Sequence, residues 1–97
     1  MSVVIKTEPA DGNLLKSHVE GDVTIYTVTE LKDQMVEDLH DYAGIEVNLE
    51  KVAKMDTAGY QLMLMLKKEA LKLDKDFKIS GASEDVKRIY QLYHQEI

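Results

Sequence analysis

The fold class of this 97-residue chain is decided by residues 45–59, IEVNLEKVAKMDTAG. The first five residues alternate apolar and polar side chains, and Val52 and Ala53 continue the apolar pattern, which predicts a β-strand. Asp56 interrupts this pattern, and a run of good helix formers then extends over residues 58–73. A strand, a short polar turn and a helix in this order indicate an α/β fold.

Upstream of this segment, two short apolar runs predict a hairpin. The runs cover residues 3–5 and 14–19, and the turn-forming residues 8–13 lie between them. Gly21 and Asp22 predict a second turn directly after the second strand.

Two further helices and a last strand complete the pattern. Thr27 with Glu30 three residues later predicts a capping box, followed by a helix over residues 28–39. Residues 77–80 predict a strand, and Ser83 predicts the N-cap of a final helix. The order of these elements predicts a four-stranded mixed sheet, mostly parallel, with about three helices packed on it.

The composition restricts the classes of partner and chemistry. The chain is long enough for one domain, over residues 1–97, and too short for two. It has 18 acidic and 12 basic residues, a net charge of −6, and Lys and Arg residues that form no stripe, so we expect no nucleic-acid partner. It contains no cysteine, which excludes disulfides and thiolate nucleophiles.

The sequence also predicts where the protein is located. Its first residues lack the charged start and long apolar stretch of a signal peptide. The longest apolar run, residues 62–66, is far shorter than a membrane span. We therefore expect a cytoplasmic protein that does not insert directly into a membrane.

The turn Met55-Asp56-Thr57-Ala58-Gly59 is the candidate site, because binding sites of open α/β sheets form at the carboxyl ends of strands. Two interpretations are open. In the first, the hydroxyl of Thr57 is an accessible regulated group, and a phosphate there would be favoured by the helix N-terminus. In the second, Asp56 or Thr57 merely caps the helix, and Gly59 allows the helix to approach the sheet closely.

Four blocks of the sequence resemble a known family. They are GDVTIYT at 21–27 leading into ELK at 30–32, VNL at 47–49, MDTAG at 55–59 and VKRIY at 86–90. Together, over about residues 14–93, they resemble the STAS domain of bacterial anti-sigma-factor antagonists. The resemblance implies a non-catalytic module that binds an anti-sigma factor, itself a serine/threonine kinase, and is released when the hydroxyl residue after the motif's aspartate is phosphorylated. Thr57 occupies that position.

The sequence departs from the best-known antagonists at two places. Thr57-Ala58 stands where those proteins have a serine followed by serine or threonine, and Thr24 stands where they usually have aspartate. At both places the sequence resembles STAS proteins associated with chemotaxis genes, or the accessory subunit of bacterial phospholipid-transport ABC complexes. In that accessory subunit, the threonine at the position of Thr57 serves as a contact residue. The resemblance therefore leaves signalling module and transport subunit as alternatives.

We predict a docking surface at the start of the second helix. Tyr60 and Leu64 are included because they flank the Thr57 turn, although packing against a neighbouring helix explains these two residues equally well. The complete set of predicted partner-binding residues is Thr24, Asp56, Thr57, Ala58, Gly59, Tyr60 and Leu64, with Thr57 as the phosphorylation site. Tyr90 and Tyr93 fit a core pattern in the last helix and receive no functional role.

The sequence gives little support for an enzymatic function. A receiver domain with Asp56 as phosphoryl acceptor would need paired acidic residues after the first strand, and residues 3–7 supply none. His18, His40 and His94 are dispersed without metal-ligand spacing. No nucleophile with its base and no cofactor loop is recognisable. We expect no cofactor, no metal and no catalysis.

Overall fold

The computed structural model describes residues 2–95. Its elements, in chain order, are β1 (Val3–Ala10), β2 (Leu14–Val23), α1 (Val28–Asp41), β3 (Gly44–Met55), α2 (Thr57–Lys72), β4 (Asp76–Ala82) and α3 (Glu84–Leu92). The predicted α/β class, with four strands and three helices, is confirmed for this part of the chain. Residues 1, 96 and 97 of the predicted domain lie outside the described residues.

The four strands form one mixed sheet in the order β1-β2-β3-β4. The β1–β2 pair is antiparallel, whereas β2–β3 and β3–β4 are parallel, as predicted. In the β2–β3 register, Val23 is paired with Met55. The two strands therefore end side by side. The segments that follow them, residues 24–27 and the Asp56-Thr57 turn, meet at the same end of the sheet.

The first hairpin differs from its prediction in length. Pro9 lies inside β1, which is tolerated because β1 is an edge strand and loses no inner ladder bond. The chain turns later, where Gly12 and Asn13 have positive φ angles of 78° and 60°. The second predicted turn is wrong, since β2 continues through Gly21 to Val23 with a register shift between Gly21 and Asp22.

The core lies between the sheet and the three helices. In β2, alternate residues from Leu15 to Val19 are buried, as expected for a strand with one covered face. The helices contribute the fully buried side chains of Leu31, Met35, Leu39, Leu66 and Val86. Burial of these apolar side chains supplies most of the stabilisation and fixes the positions of the helix N-termini.

The two predicted helix caps have different outcomes. Ser83 caps α3 as predicted, because its Oγ accepts a hydrogen bond from the Val86 N–H at 3.3 Å. The capping box at Thr27 is wrong, since its side chain makes no cap bond to α1. The Thr27 hydroxyl instead donates to the backbone carbonyl of Asp22 at 2.7 Å and closes the segment between β2 and α1.

Candidate functional site at the start of helix α2

The Asp56-Thr57 turn lies at the carboxyl end of β3, beside the end of β2. The Asp56 N–H donates to the carbonyl of Val23 at 3.3 Å, which joins the turn to β2. Thr57 is exposed, whereas Asp56 and Ala58 are half-buried. The turn is thus accessible at the rim of the sheet.

Asp56 holds this region together with both of its carboxylate oxygens. Oδ1 accepts a hydrogen bond from the Gly59 N–H at 3.1 Å, which caps α2. Oδ2 accepts from the Ile25 N–H at 3.0 Å, across 31 residues of sequence. The capping interpretation of Asp56 is therefore confirmed, and the carboxylate has a positioning role in addition.

Gly59 permits a close approach of α2 to β2. A Cβ atom at this position would lie 2.4 Å from the backbone carbonyl oxygen of Val23. Real Cβ atoms do not approach an oxygen so closely, so any side chain would push the helix away from the strand. The prediction that Gly59 allows close packing is confirmed.

The Thr57 hydroxyl is held by a residue from the far end of the chain. Thr57 Oγ1 lies 2.9 Å from the Tyr93 hydroxyl oxygen, and either group can donate the hydrogen bond. Tyr93 is the C-cap of α3, so the end of α3 touches the start of α2. The expectation that Tyr93 faces the core is wrong, since it is 40% exposed.

Three tyrosines form a continuous aromatic cluster beneath Thr57. The Tyr93 ring stacks on Tyr60 with centroids 4.4 Å apart, and Tyr60 meets Tyr90 edge-on at 5.0 Å. Burial, with a smaller contribution from Tyr60, raises the pKa of Tyr90 to about 12. Tyr60 is only 5% exposed because its ring packs between two other rings. Packing against a neighbouring helix, the second role that the sequence left open for Tyr60, accounts for its position.

An apolar surface lies on the other side of the turn. Ile25 and Tyr26, in the segment between β2 and α1, are 63% and 79% exposed. Ile25 also lines a groove of about 290 Å³, together with Val28, Ala58 and Met65. This surface was not predicted from the sequence, although two bulky apolar residues between the end of a strand and the start of a helix indicate a candidate contact surface.

The family model described as "Mlab, STAS domain" matches residues 7–96. The chain belongs to the STAS domain family. It is 31% identical over 93 residues to the anti-sigma-B factor antagonist of Staphylococcus aureus (strain NCTC 8325 / PS 47), covering 95% of this chain and 85% of that protein. It is 35% identical over 78 residues to the anti-sigma-B factor antagonist of Staphylococcus epidermidis, covering 76% of this chain and 69% of that protein.

Solved structures show the same STAS fold. An anti-sigma factor antagonist from Mycobacterium paratuberculosis superposes with a TM-score of 0.82 at 17% identity, covering 96% of this chain and 79% of that one. The phosphorylated form of the Bacillus cell fate determinant SpoIIAA superposes with a TM-score of 0.71 at 16% identity, covering 93% and 83%. At these identities the likeness concerns the fold alone.

Two other predicted contact residues of this STAS domain are not at the turn's surface. Thr24 is 5% exposed, and its carbonyl accepts from the N–H groups of Thr27 and Val28 at 2.9 and 3.0 Å, so it shapes the start of α1. Little of the Thr24 surface is therefore accessible in this structure. Leu64 is half-buried and lines a separate cavity of about 250 Å³ that also includes Phe77 and Ile79 of β4.

A carboxylate of α3 positions the end of β3 in this STAS domain. Asp85 Oδ2 accepts from the Met55 N–H at 2.7 Å, and its Oδ1 accepts from Arg88 Nε at 3.1 Å. The backbone hydrogen bond, followed by that of Arg88, holds the pKa of Asp85 below its usual range. Asp85 lies in the first turn of α3, and its contact with the end of β3 could not be foreseen from local sequence.

The polar groups of this site are already hydrogen-bonded within the domain. Both Asp56 oxygens already accept backbone N–H groups, and the Thr57 hydroxyl faces a phenol. Within residues 2–95, no group of three or more His, Cys, Asp or Glu residues is placed to hold a metal ion. In the same part of the chain, every helix is too short or too polar to cross a membrane.

Proposed function

We propose that this STAS domain is a non-catalytic signalling or adaptor module that docks a protein partner through the start of α2. The partner we propose is an anti-sigma factor of the serine/threonine-kinase type, or a chemotaxis-associated signalling protein. The observation that carries the proposal is the exposed Thr57 hydroxyl at the first position of α2, beside the exposed apolar pair Ile25 and Tyr26. The names of the two staphylococcal relatives, anti-sigma-B factor antagonists, support the same class of partner.

The docking surface we propose consists of Ile25, Tyr26, Asp56, Thr57 and Ala58. Single exposed apolar residues are common, but two adjacent ones beside an apolar groove form a patch of the kind found in protein interfaces. Tyrosine contributes strongly to such interfaces because its large ring loses little conformational entropy on binding. Asp56 fixes the apolar pair relative to α2, so the surface is formed before a partner arrives.

Phosphorylation of Thr57 would switch this surface off. A phosphate adds about −1.5 to −2 charges beside Asp56. On a chain of net charge −6, it would have to be desolvated when a partner covers the patch. An unpaired buried charge costs several kcal/mol, which corresponds to a loss of affinity of more than about a hundredfold. A phosphorylated form is on record for SpoIIAA, which shares the fold.

The alternative is an accessory STAS subunit of a bacterial phospholipid-transport ABC complex. Ala58 and Thr24 favour it, because both residues resemble that group of STAS proteins. The hydrogen bond between Thr57 and Tyr93 favours it as well, since a hydroxyl held in one place suits a permanent contact. In this alternative the same surface stays bound to an ATPase and is not switched.

A comparative pull-down from lysate of the native host tests the proposal. The baits are the wild-type protein, Thr57→Ala, Thr57→Glu and the control Thr7→Glu. The control adds the same charge at an exposed residue of the edge strand β1, which β2 separates from β3. We expect wild type, Thr57→Ala and Thr7→Glu to capture an anti-sigma kinase. Thr57→Glu should capture about one tenth of that amount or less.

Two other outcomes decide against parts of the proposal. If Thr57→Ala loses the partner while its melting temperature is unchanged, the hydroxyl is a required contact, and the transport subunit becomes the better explanation. Recovery of the same proteins in equal amounts on all four baits would contradict docking at the start of α2.

A further inference from the structure

The end of α3 is folded against the start of α2 through one residue, Tyr93. Its hydroxyl lies 2.9 Å from Thr57 Oγ1, and its ring stacks on Tyr60 at 4.4 Å with an interplanar angle of 7°. We call these two contacts the Tyr93 latch. The residues are 36 and 33 positions apart in sequence, so the latch joins two separate helices.

The same residue organises the last turn of the described chain. The Tyr93 N–H donates to the Tyr90 carbonyl at 3.2 Å. The His94 and Gln95 N–H groups donate to the carbonyls of Gln91 and Tyr90, both at 3.0 Å. The side-chain contacts of Tyr93 therefore hold in place a residue whose backbone belongs to the hydrogen-bonded turn that closes α3.

We propose that the Tyr93 latch positions the Thr57 hydroxyl, and that phosphorylation of Thr57 opens the latch and loosens the end of α3. The inference rests on the proposed regulation of Thr57 and extends it to a second surface. A partner could then distinguish the two states of the domain at α2 and at the end of α3 together.

The geometry explains why modification and latch exclude each other. In the modification, the γ-phosphoryl group of a nucleoside triphosphate moves to Thr57 Oγ1. The new O–P bond forms, the bond from phosphorus to the leaving nucleoside diphosphate breaks, and the hydroxyl proton passes to a base of the kinase. Oγ1 can no longer donate, and the Tyr93 oxygen at 2.9 Å occupies space that the phosphoryl oxygens and their hydration require.

The two rings of the latch differ in how firmly they are held. Tyr60 is 5% exposed and remains packed against Tyr90. Tyr93 is 40% exposed, so it loses less apolar contact when it turns outward. Displacement is therefore confined to Tyr93 and the turn that follows it, while the α2 core contacts are retained.

The first experiment needs no partner protein. Phosphothreonine is incorporated at position 57 during translation, and amide hydrogen exchange is compared with the unmodified chain by NMR. We expect exchange of the Tyr93, His94 and Gln95 amides to accelerate by about tenfold or more. The Lys87 amide, which donates to Ser83 at the other end of α3, should exchange at its original rate.

The second experiment separates a positioning role from a merely structural one. Tyr93→Phe removes the hydroxyl and retains the ring that stacks on Tyr60. Three-bond couplings should show one χ1 rotamer for Thr57 in the wild-type chain and rotamer averaging in Tyr93→Phe. Tyr26→Phe, which removes the hydroxyl of a tyrosine that is 79% exposed, is the control and should leave the Thr57 couplings unchanged.

Unchanged Thr57 couplings in Tyr93→Phe would overturn the positioning role. Unchanged or slower exchange at Tyr93, His94 and Gln95 after phosphothreonine incorporation would overturn the opening of the latch. Neither measurement involves partner binding, so a failure of the pull-down leaves both readouts intact, and a failure here leaves the docking proposal standing.

Discussion

Asp56 Oδ2 accepts a hydrogen bond from the backbone N–H of Ile25 at 3.0 Å, and Oδ1 of the same carboxylate accepts from the Gly59 N–H at 3.1 Å. One side chain therefore fixes the exposed apolar segment and the helix that follows the turn. The aspartate of the MDTAG motif therefore has a structural role. Its two hydrogen bonds place Thr57 and Ile25 in one surface.

Substitution of Asp56 should separate these two roles. Asp56→Ala loses both hydrogen bonds, and we expect the free energy of unfolding to fall by about 2 kcal/mol. Asp56→Asn keeps an acceptor for Gly59 but turns its amide group toward the Ile25 N–H, so we expect a loss of about 1 kcal/mol. Urea unfolding measures both values. In Asp56→Asn, NMR shifts should concentrate at Ile25 and Tyr26. Shifts confined to Gly59 would contradict this division of roles.

The close approach at Gly59 predicts an unusual response to alanine. Alanine normally stabilises a helix relative to glycine by about 1 kcal/mol. Here its Cβ would lie 2.4 Å from a backbone oxygen of β2, so Gly59→Ala should instead destabilise the fold by about 1–3 kcal/mol. Gly81→Ala is the matched comparison, because its Cβ meets the movable end of the Asn48 side chain at 2.8 Å. Thermal unfolding should show a clearly smaller loss for Gly81→Ala.

Features of the fold and the site could be predicted from the sequence where the interactions that decide them are local. The cap at Asp56 and the close approach at Gly59 follow from the strand-turn-helix pattern around them. The Tyr93 contact with Thr57 spans 36 residues and depends on how α3 packs, which no local pattern encodes. The capping box at Thr27 failed for the related reason that its hydroxyl found a better placed acceptor, the Asp22 carbonyl at 2.7 Å. Tyr60 was proposed as a partner contact because it flanks the Thr57 turn, but stacking with Tyr93, which lies 33 residues further along the chain, covers its ring.

Asp85 makes stability depend on pH in the acidic range. Its pKa is lower in the folded chain than in the unfolded one, so folding favours the ionised carboxylate. The stabilisation is complete above the unfolded pKa of about 3.9 and is lost as the pH falls through the lower folded value. We expect Asp85→Asn to be less stable by about 1 kcal/mol at neutral pH, with the difference closing in strong acid. Urea unfolding across this range measures it. A constant difference at all pH values would contradict the assignment.

Asp38 should make stability depend on pH in the opposite direction. Burial raises the pKa of this carboxyl, with Glu37 and Asp41 acting in the same direction, and its Oδ2 is buried without a hydrogen-bond partner among the described residues. Ionisation therefore costs stability as the pH rises through the raised folded value, and the cost is absent below about pH 4. Asp38→Asn retains the acceptor for Gln34, which now donates to Oδ1 at 3.0 Å. We expect the variant to be more stable by about 1 kcal/mol at neutral pH and equally stable in acid, again by urea unfolding.

The exposed pair Ile25 and Tyr26 gives the sharpest test of the docking surface. Replacing both by serine removes apolar area that the free protein already exposes, so the melting temperature should change by less than about 2 °C. Binding to the partner captured by the wild-type chain should weaken by about tenfold or more, because aromatic and aliphatic anchors dominate interface energies.

Leu71→Ser is the matched control: Leu71 is 73% exposed on α2, and the helix rise places it about 20 Å from Thr57. Titration calorimetry should therefore show wild-type affinity for Leu71→Ser and a loss only for the double variant. Equal losses for both would mean that apolar exposure in general, and not this surface, drives the association. No loss for either would place the contact elsewhere on the domain and remove Ile25 and Tyr26 from the docking surface.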